Sequence, residues 1–306
     1  MKTAILLLAA SLAAQATTFY VTISGLGGEP DYDQRFKLWA EDIGSSLKKA
    51  GGDADVITLE APNRDQIRAK MAEVAREAKP TDSLVLMLIG HGSYDGYEYK
   101  FNIPGPDITG AELATLMDKV PATRQCVVNM TSSSGGSIDS LRRQNRVVIA
   151  ATKTGTEKNA TVFARYWADA LRDPAADVDK NDTVSALEAF HYAQHKVAEY
   201  YDTNKRLATE HPVLDDTGKG EGSKDPTTET GDGRLAAAFP VVRLGANAEA
   251  ARDPKKRPLL EEKEQIEQAI DQLKYDKAGI PEAQYKQQLT QLLIRLAQVQ
   301  EALDKQ

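Results

Sequence analysis

The 306-residue chain is short of cysteine, of positive charge and of long apolar runs, and each shortage excludes a class of structure or partner. Cys126 is the single cysteine, so no intramolecular disulfide can form. The formal net charge of −7, with no basic stripe to offset it, argues against a nucleic-acid partner. No apolar segment is long enough to span a bilayer, so we expect no membrane span.

Residues 1–16 have the pattern of an export signal. Lys2 supplies a positive start, residues 5–8 with neighbouring alanines form a short apolar core, and residues 14–16 give a small-x-small cleavage pattern. We therefore expect this signal peptide to be removed and the mature chain to begin at Thr17. The protein is expected to be periplasmic or secreted.

The clearest strand pattern lies at residues 84–89, an unbroken apolar run that stops at Gly90, His91 and Gly92. Such a run predicts a strand buried on both faces of a parallel sheet. Ligands bind outside the carboxyl ends of these strands, which places His91 at the edge where function is expected. A histidine after a strand is also common as a hydrogen-bonded loop residue, so that interpretation remains open.

Strands alternate with helices over the first 250 residues, a pattern typical of a mainly parallel sheet between helical layers. We predict strands at residues 19–24, 55–59, 84–89, 125–130, 146–151 and 236–244. We predict helices at residues 34–50, 64–78, 107–120, 161–171 and 184–201. The fold class is therefore α/β, a three-layer sandwich with a mainly parallel six-stranded sheet.

Two short segments between these elements bear on function. Gly25, Gly27 and Gly28 follow the first strand, but they lack the spacing of a dinucleotide loop, and the acidic Glu29 would repel a phosphate. Residues 94–101 alternate aromatic and polar side chains around an Asp-Gly turn, which predicts a small hairpin. That hairpin lies either over the site or elsewhere on the surface without a role.

From about residue 258 the composition changes to Glu, Gln, Lys and Leu. A heptad seam, with steps of four and three, is formed by Tyr285, Leu289, Leu292, Leu296, Val299 and Leu303. A shorter seam of Leu259, Ile266, Ile270 and Leu273 precedes a Gly-Ile-Pro break. We predict an α/β domain at residues 17–250 and a helical hairpin or coiled coil at residues 251–306. Self-association through these helices is the alternative to an intramolecular pair.

The third predicted strand ends in His91 and Gly92, and the fourth ends in a small-residue loop that contains Ser132. Here the chain resembles the legumain–caspase clan of cysteine peptidases. In that clan an apolar strand ends in His-Gly, and the next strand ends in a motif with the nucleophilic cysteine three residues before a glycine. The resemblance covers roughly residues 19–171 and implies a caspase-like fold.

The resemblance also implies roles for individual residues. His91 falls on the base, Ser132 falls on the nucleophile, and the amides of Gly92 and Ser132 fall on the oxyanion donors. The stretch at residues 146–159 is similar to the legumain strand and loop that help line the primary specificity pocket. On this chain the pocket residues would be Thr152, Lys153, Thr154 and Gly155.

Serine at position 132, where the clan has cysteine, leaves two functions open. A hydroxyl holds its proton more tightly than a thiol and usually needs a base that a third group orients. Asp95 is close to His91 in sequence but is no obvious orienter. Cys126 lies roughly 20 Å from the strand tip at strand rise, so it is expected to be a buried apolar thiol. The protein is therefore a degenerate peptidase-like protein that binds a peptide or protein in the inherited cleft, or an active endopeptidase or acyl-transfer hydrolase with a Ser132–His91 dyad.

Residues 177–188 match the ligand spacing of a calcium loop between two helices. The candidate ligands are Asp177, Asp179, Asn181, Thr183 and Glu188. Asp182 replaces the usual glycine at the sixth position, although aspartate tolerates the left-handed conformation better than most residues. The alternative is an acidic interhelical loop in which Asp179 or Asp182 caps the next helix. Neither function requires a cofactor, and calcium is the one candidate.

Overall fold

A computed structural model describes residues 16–52, 54–229 and 231–305. The predicted signal peptide, apart from Ala16, lies outside the described residues. Within the described ranges, no helix combines the length and the hydropathy that crossing a membrane requires.

The described chain contains short and long strands in nearly regular alternation with helices. The strands are β1 (Thr18–Ser24), β2 (Ala54–Glu60), β3 (Ser83–Ile89), β4 (Gly92–Tyr94), β5 (Tyr99–Phe101), β6 (Ile108–Thr109), β7 (Arg124–Asn129), β8 (Arg146–Ala150), β9 (Thr183–Ser185), β10 (Val213–Asp215) and β11 (Pro240–Arg243). The helices are α1 (Pro30–Ala50), α2 (Arg64–Glu77), α3 (Gly110–Asp118), α4 (Ile138–Leu141), α5 (Phe163–Ala170), α6 (Ala186–Thr203), α7 (Arg234–Ala237), α8 (Gly245–Arg252), α9 (Arg257–Tyr275) and α10 (Glu282–Lys305).

A six-stranded sheet in the order β10-β8-β7-β3-β1-β2 forms the centre of the molecule. The five strands from β8 to β2 are parallel, and β10 is antiparallel to β8. The strand β3 lies between β1 and β7, and every residue from Leu84 to Ile89 is fully buried. This confirms the prediction that the unbroken apolar run is a central strand with both faces covered.

Successive side chains of β3 enter two separate cores, as the two-residue period of a strand requires. Val85, Met87 and Ile89 pack with residues of α1, α5 and α6 on one face, whereas Leu84, Leu86 and Leu88 pack with α2 and α3 on the other. The sheet is therefore sandwiched between two helical layers. The three-layer α/β fold with a mainly parallel six-stranded sheet and C-terminal helices is the fold that the sequence predicts.

The identity of the sixth strand was predicted wrongly. Residues 236–244 supply β11, but β11 pairs with β9 in a separate two-stranded sheet. The sixth strand of the central sheet is β10, only three residues long and followed by a polar loop. A three-residue strand at a sheet edge has too few residues to show a period, although Val213 and Leu214 are fully buried.

The two C-terminal helices pack against each other and form a third apolar cluster with α8. Its buried members are Ala250, Ala251, Leu260, Ile266, Ile270, Val299 and Leu303. Polar contacts also join α9 to the α/β body. Arg243 of β11 forms two bonds with the Glu264 carboxylate, at 2.7 and 2.9 Å, and the Gln268 amide donates to the Ala238 carbonyl at 3.1 Å.

Candidate functional site

The imidazole of His91 lies against the aromatic side chains of α1. Its ring centre is 4.9 Å from that of Tyr32 and 5.1 Å from that of Phe36, and both contacts are edge-on. Burial is the main cause that lowers the pKa of His91, and a backbone hydrogen bond with Gly27 and the charge of Asp33 oppose it. The imidazole is therefore largely neutral near pH 7 and available as a base.

The glycine turn after β1 lies beside His91, a contact that sequence reasoning missed. The Gly27 N–H donates to the Asp33 carboxylate at 2.6 Å, and a Cβ on Gly27 would lie 2.4 Å from the Asp33 amide nitrogen. The turn therefore packs directly on the start of α1, and the Gly27 backbone raises the pKa of the imidazole. Because β1 and β3 are parallel neighbours, a glycine turn after one and a histidine after the other are the signal that could have predicted this contact.

Ser132 lies next to Gly92 and is nearly buried, with 2% of its surface exposed. Its hydroxyl accepts the Gly92 N–H at 3.0 Å and donates to the Gly92 carbonyl at 3.1 Å. Within the described ranges, no hydrogen bond joins His91 to Ser132. The structure thus brings together the predicted nucleophile and one predicted oxyanion donor, while the predicted base packs against the aromatic side chains of α1.

The remainder of the serine-rich turn is braced by Thr152, which follows β8. The Thr152 hydroxyl accepts the Gly135 N–H at 2.8 Å and lies 3.2 Å from the Ser134 hydroxyl, and the Thr152 N–H donates to Ser134 Oγ at 3.0 Å. Between these residues, Ser133 has a left-handed backbone with φ of 57° and a buried hydroxyl for which the described residues provide no partner. The turn is rigidly held from three sides.

The four predicted pocket residues have different environments. Thr152 and Gly155 are buried, and Lys153 and Thr154 are exposed. A Cβ on Gly155 would lie 2.2 Å from the ring of Tyr94, so this aromatic side chain of β4 packs directly on the glycine backbone.

The strands β4 and β5 form the predicted hairpin, and Tyr94 also packs against Gly136 of the serine-rich turn. The hairpin therefore lies over the site. Asp95 accepts the Tyr97 and Glu98 amides of its own turn, both at 2.9 Å, and does not orient His91.

A histidine–carboxylate pair lies beside the turn and was not predicted. His211 Nδ1 is 2.5 Å from Glu157 Oε1, and the other carboxylate oxygen of Glu157 accepts the Lys153 N–H at 2.8 Å. The Glu157 carbonyl accepts the Ser133 N–H at 2.8 Å. Glu157 therefore links the serine turn, the predicted pocket loop and His211.

Cys126 lies in the middle of β7 with no exposed surface. Burial alone raises the pKa of its thiol. This confirms the prediction of an inert apolar thiol, because a reactive cysteine needs an accessible thiolate.

The acidic loop at residues 177–188 brings three of its predicted ligands together. Oxygen atoms of Asp177, Asp179 and Glu188 lie within 4.8 Å of one another. Desolvation and the nearby charges of Glu188 and Asp177 raise the pKa of Asp179 to about 6. Asp182, at the sixth position, has a φ of 63°, the left-handed backbone that glycine usually provides there.

Two other predicted ligands of this loop take part in its internal hydrogen bonds. The Asn181 N–H donates to Asp177 at 3.1 Å, and the Asn181 side chain donates to Asp179 at 3.0 Å. Thr183 begins β9, where its hydroxyl accepts from the Asn247 amide at 3.1 Å.

The helix α6 is not capped by either residue that the acidic-loop alternative names. Neither Asp179 nor Asp182 caps this helix, because the helix begins only at Ala186. The cap is Ser185, whose hydroxyl accepts the Glu188 N–H, while the Glu188 carboxylate accepts the Ser185 N–H at 2.9 Å. This reciprocal pair is a capping box, which the Ser-x-x-Glu spacing could have predicted.

Comparisons with known proteins give similarity to solved structures only. No protein-family model matches the chain, and no curated protein matches it. Similar structures include the Drosophila initiator caspase Dronc, with 13% identity and a TM-score of 0.48 over 67% of this chain and 81% of that one. Caspase-1 from Spodoptera frugiperda has 12% identity and a TM-score of 0.48 over 67% and 90%, respectively. A Geobacter sulfurreducens protein has 10% identity and a TM-score of 0.43 over 66% and 92%. These likenesses concern the fold alone.

Proposed function

We propose that this chain is an exported protein of peptidase-like fold that binds a peptide or protein segment without hydrolysing it. The main support is the pair of hydrogen bonds between the Ser132 hydroxyl and the Gly92 backbone. A serine nucleophile needs its proton directed at a base, but this hydroxyl donates to a carbonyl. The Gly92 N–H, which the resemblance assigns to the oxyanion hole, is occupied by the same hydroxyl.

The environment of His91 supports the same proposal. Its imidazole packs edge-on against two aromatic rings of α1, and no carboxylate of the described residues forms a hydrogen bond with it. A hydrolase with a Ser132–His91 dyad would need a rotation of the Ser132 side chain and a new contact with the imidazole.

The hydrolytic alternative is tested with a fluorophosphonate probe, which phosphonylates an activated serine with loss of fluoride. We expect the natural chain to be labelled no more than Ser132→Ala or His91→Ala. Labelling of the natural chain that both substitutions abolish would establish an active serine hydrolase and overturn the proposal.

Exposed groups surround the buried turn and supply a surface for a peptide. Tyr97, at the tip of the hairpin, is 96% exposed, and Lys153 and Thr154 are exposed on the neighbouring loop. An exposed aromatic side chain and an exposed cationic one suit an extended segment that carries apolar and acidic residues.

Peptide binding is measured by photo-crosslinking random heptapeptides that carry a photoreactive phenylalanine. We expect crosslinks on the hairpin and on the loop at residues 152–155, and fewer of them in Tyr97→Ala. Leu207→Ala is the matched control, because Leu207 is 91% exposed and lies outside the candidate site. Equal crosslinking in the two variants would contradict a binding surface at the hairpin.

We also propose that the loop at residues 177–188 binds calcium. The proposal is supported because the loop has both the ligand spacing and the backbone conformation of a calcium loop. The sixth residue is left-handed, the seventh to ninth residues form β9, and the twelfth residue is Glu188. Oxygen ligands in this arrangement suit calcium.

Export remains a proposal that rests on the sequence of residues 1–16. Mass spectrometry of protein recovered from outside the cytoplasm should give Thr17 as the first residue. Recovery of the same protein with Met1 intact would contradict it.

A further inference from the structure

Asp82, just before β3, is a buried carboxylate without a cationic partner among the described residues. Its side chain is almost inaccessible, with 2% of the residue surface exposed. One oxygen accepts the Thr17 N–H at 2.8 Å, and the other accepts the Lys79 N–H at 2.7 Å. Two amide donors satisfy the hydrogen bonds but supply no full positive charge, and a buried carboxylate is stabilised most by an opposite charge.

The backbone around Thr17 is fixed by the central sheet. The Ser83 N–H donates to the Thr17 carbonyl at 2.9 Å, and the next residue, Thr18, pairs in register with Ser83. The Thr17 nitrogen is therefore held beside Asp82 by the pairing of β1 and β3. Ala16, on the other side of the same peptide bond, is exposed.

We propose that cleavage between Ala16 and Thr17 creates an ion pair between the new α-ammonium group of Thr17 and the carboxylate of Asp82. This inference rests on the proposed export of the chain. A signal-cleaving peptidase would hydrolyse the Ala16–Thr17 peptide bond with one water molecule. The hydroxyl of water goes to the Ala16 carbonyl carbon, and the Thr17 nitrogen takes the remaining proton of that water. A second proton passes to the nitrogen from the new Ala16 carboxylic acid, which leaves a carboxylate and an ammonium group.

Maturation then strengthens a contact whose geometry already exists. An α-amino group has an ordinary pKa of about 7.7–8.0, so it is mostly protonated at neutral pH. A charge-assisted hydrogen bond is roughly twice as strong as a neutral one. Since Asp82 also holds the Lys79 amide, the new charge ties the start of β1 to the connection between α2 and β3.

The test is a double-mutant cycle on the full mature chain. One protein begins at Thr17, released in vitro by a protease that leaves no extra residue, and the other carries a short Gly-Ser extension before Thr17. Each is prepared with Asp82 and with Asp82→Asn. We expect the extension to lower the thermal midpoint by roughly 2–4 °C in the natural background, a typical shift for one interaction in a domain of this size.

In the Asp82→Asn background we expect the extension to have no such effect. Equal effects of the extension in both backgrounds, or no effect in the natural one, would overturn the ion pair. Because the comparison is between pairs, it remains valid even where Asp82→Asn lowers stability by itself.

A second measurement follows the amine directly. Reductive methylation at neutral pH should label Thr17 more slowly than the extended amino terminus, and Asp82→Asn should remove the protection. Equal labelling rates would again overturn the inference. Both measurements use protein prepared in vitro, so neither depends on export. A secreted protein that begins at another residue would refute cleavage after Ala16, but the ion pair could still be measured in vitro.

Discussion

The serine-rich turn and the acidic loop differ in how their polar groups are satisfied. In the turn, Ser132 is bonded to Gly92, and Ser134 is bonded to Thr152, so most polar groups have partners within the protein. In the loop at residues 177–188, three carboxylates lie together, and the pKa of Asp179 is raised first by burial and then by its acidic neighbours. A closed hydrogen-bond network needs no ligand, whereas crowded like charges are relieved by a cation.

The comparison shows that resemblance to a catalytic motif and readiness for a ligand are separate properties. The turn carries the catalytic motif, but most of its hydrogen-bond donors and acceptors are already paired within the protein. The loop carries a less specific motif, but the negative charges of its three carboxylates lie close together. The predictions below separate these two cases, starting with the largest expected effect.

Calcium should stabilise the metal-free protein by about 2.7 kcal/mol when its concentration is 100 times the dissociation constant. Asp179→Asn should abolish most of this gain, because it removes one of the three clustered carboxylates. Asp202→Asn, an exposed aspartate on α6, is the control and should retain the full effect. Thermal unfolding with and without calcium checks this, and an unchanged midpoint in the natural chain would refute the site.

The pH dependence of the free energy of unfolding tests whether negative charge is crowded in the same loop. Asp179 has a folded-state pKa of about 6, above its ordinary value of 3.8, so it contributes stability below about pH 4. That contribution should be lost as the pH rises through 6, and calcium should offset the loss. Denaturant unfolding of metal-free protein between pH 4 and pH 7 should show a flatter profile for Asp179→Asn. An identical profile would show that Asp179 is not crowded.

Thr152→Val should destabilise the protein by about 1–3 kcal/mol, since it leaves the Gly135 N–H and the Ser134 hydroxyl without their shared partner. Thr156→Val is the control, because its hydroxyl bonds only at the exposed surface. Equal free energies of unfolding for the two variants would show that the turn is not braced from β8.

Ser132→Ala should lower the free energy of unfolding by about 0.5–1.5 kcal/mol, the typical contribution of a hydrogen bond. It should leave any measured peptide turnover unchanged. A loss of turnover without a loss of stability would reverse the assignment of this residue from structural to catalytic.

Removal of the C-terminal hairpin should have the smallest effect on the body. A chain that ends at Ala251 is expected to remain folded, because most of the third apolar cluster lies between α9 and α10, and polar pairs such as Arg243 with Glu264 join α9 to the body. Aggregation of this truncated chain would place the hairpin within the main core.

The hairpin also leaves Leu293 and Ile294 of α10 exposed, at 48% and 55%. Self-association through this exposed pair, which lies outside the heptad seam, can be tested by sedimentation of the chain with Leu293→Lys and Ile294→Lys. If the natural chain and the double variant have the same mass, association through this face is ruled out.

Sequence reasoning predicted features that depend on local periodicity and missed those that depend on distant contacts. The strand at residues 84–89 and the position of His91 follow from one apolar run. The contact of His91 with Gly27 joins residues that are 64 positions apart, and only the pairing of β1 with β3 brings them together. The strand β10 was missed because three residues at a sheet edge show no period.

The same contrast applies to side-chain direction within the candidate site. The resemblance placed Ser132 and Gly92 together correctly, because the strand ends are neighbours. It could not show that the hydroxyl turns toward the Gly92 backbone rather than toward the imidazole. Rotation about one side-chain bond decides between these alternatives, and it depends on packing from β4, β8 and the pocket loop.

The position of Cys126 makes the protein its own reporter of unfolding. The only sulfhydryl group of the chain lies at the centre of the parallel sheet, flanked by β3 and β8. A thiol-specific dye can reach it only when the helical layer that covers this face of the sheet opens. Under conditions in which reclosing is fast, the rate of dye attachment gives the population of open molecules without any introduced label.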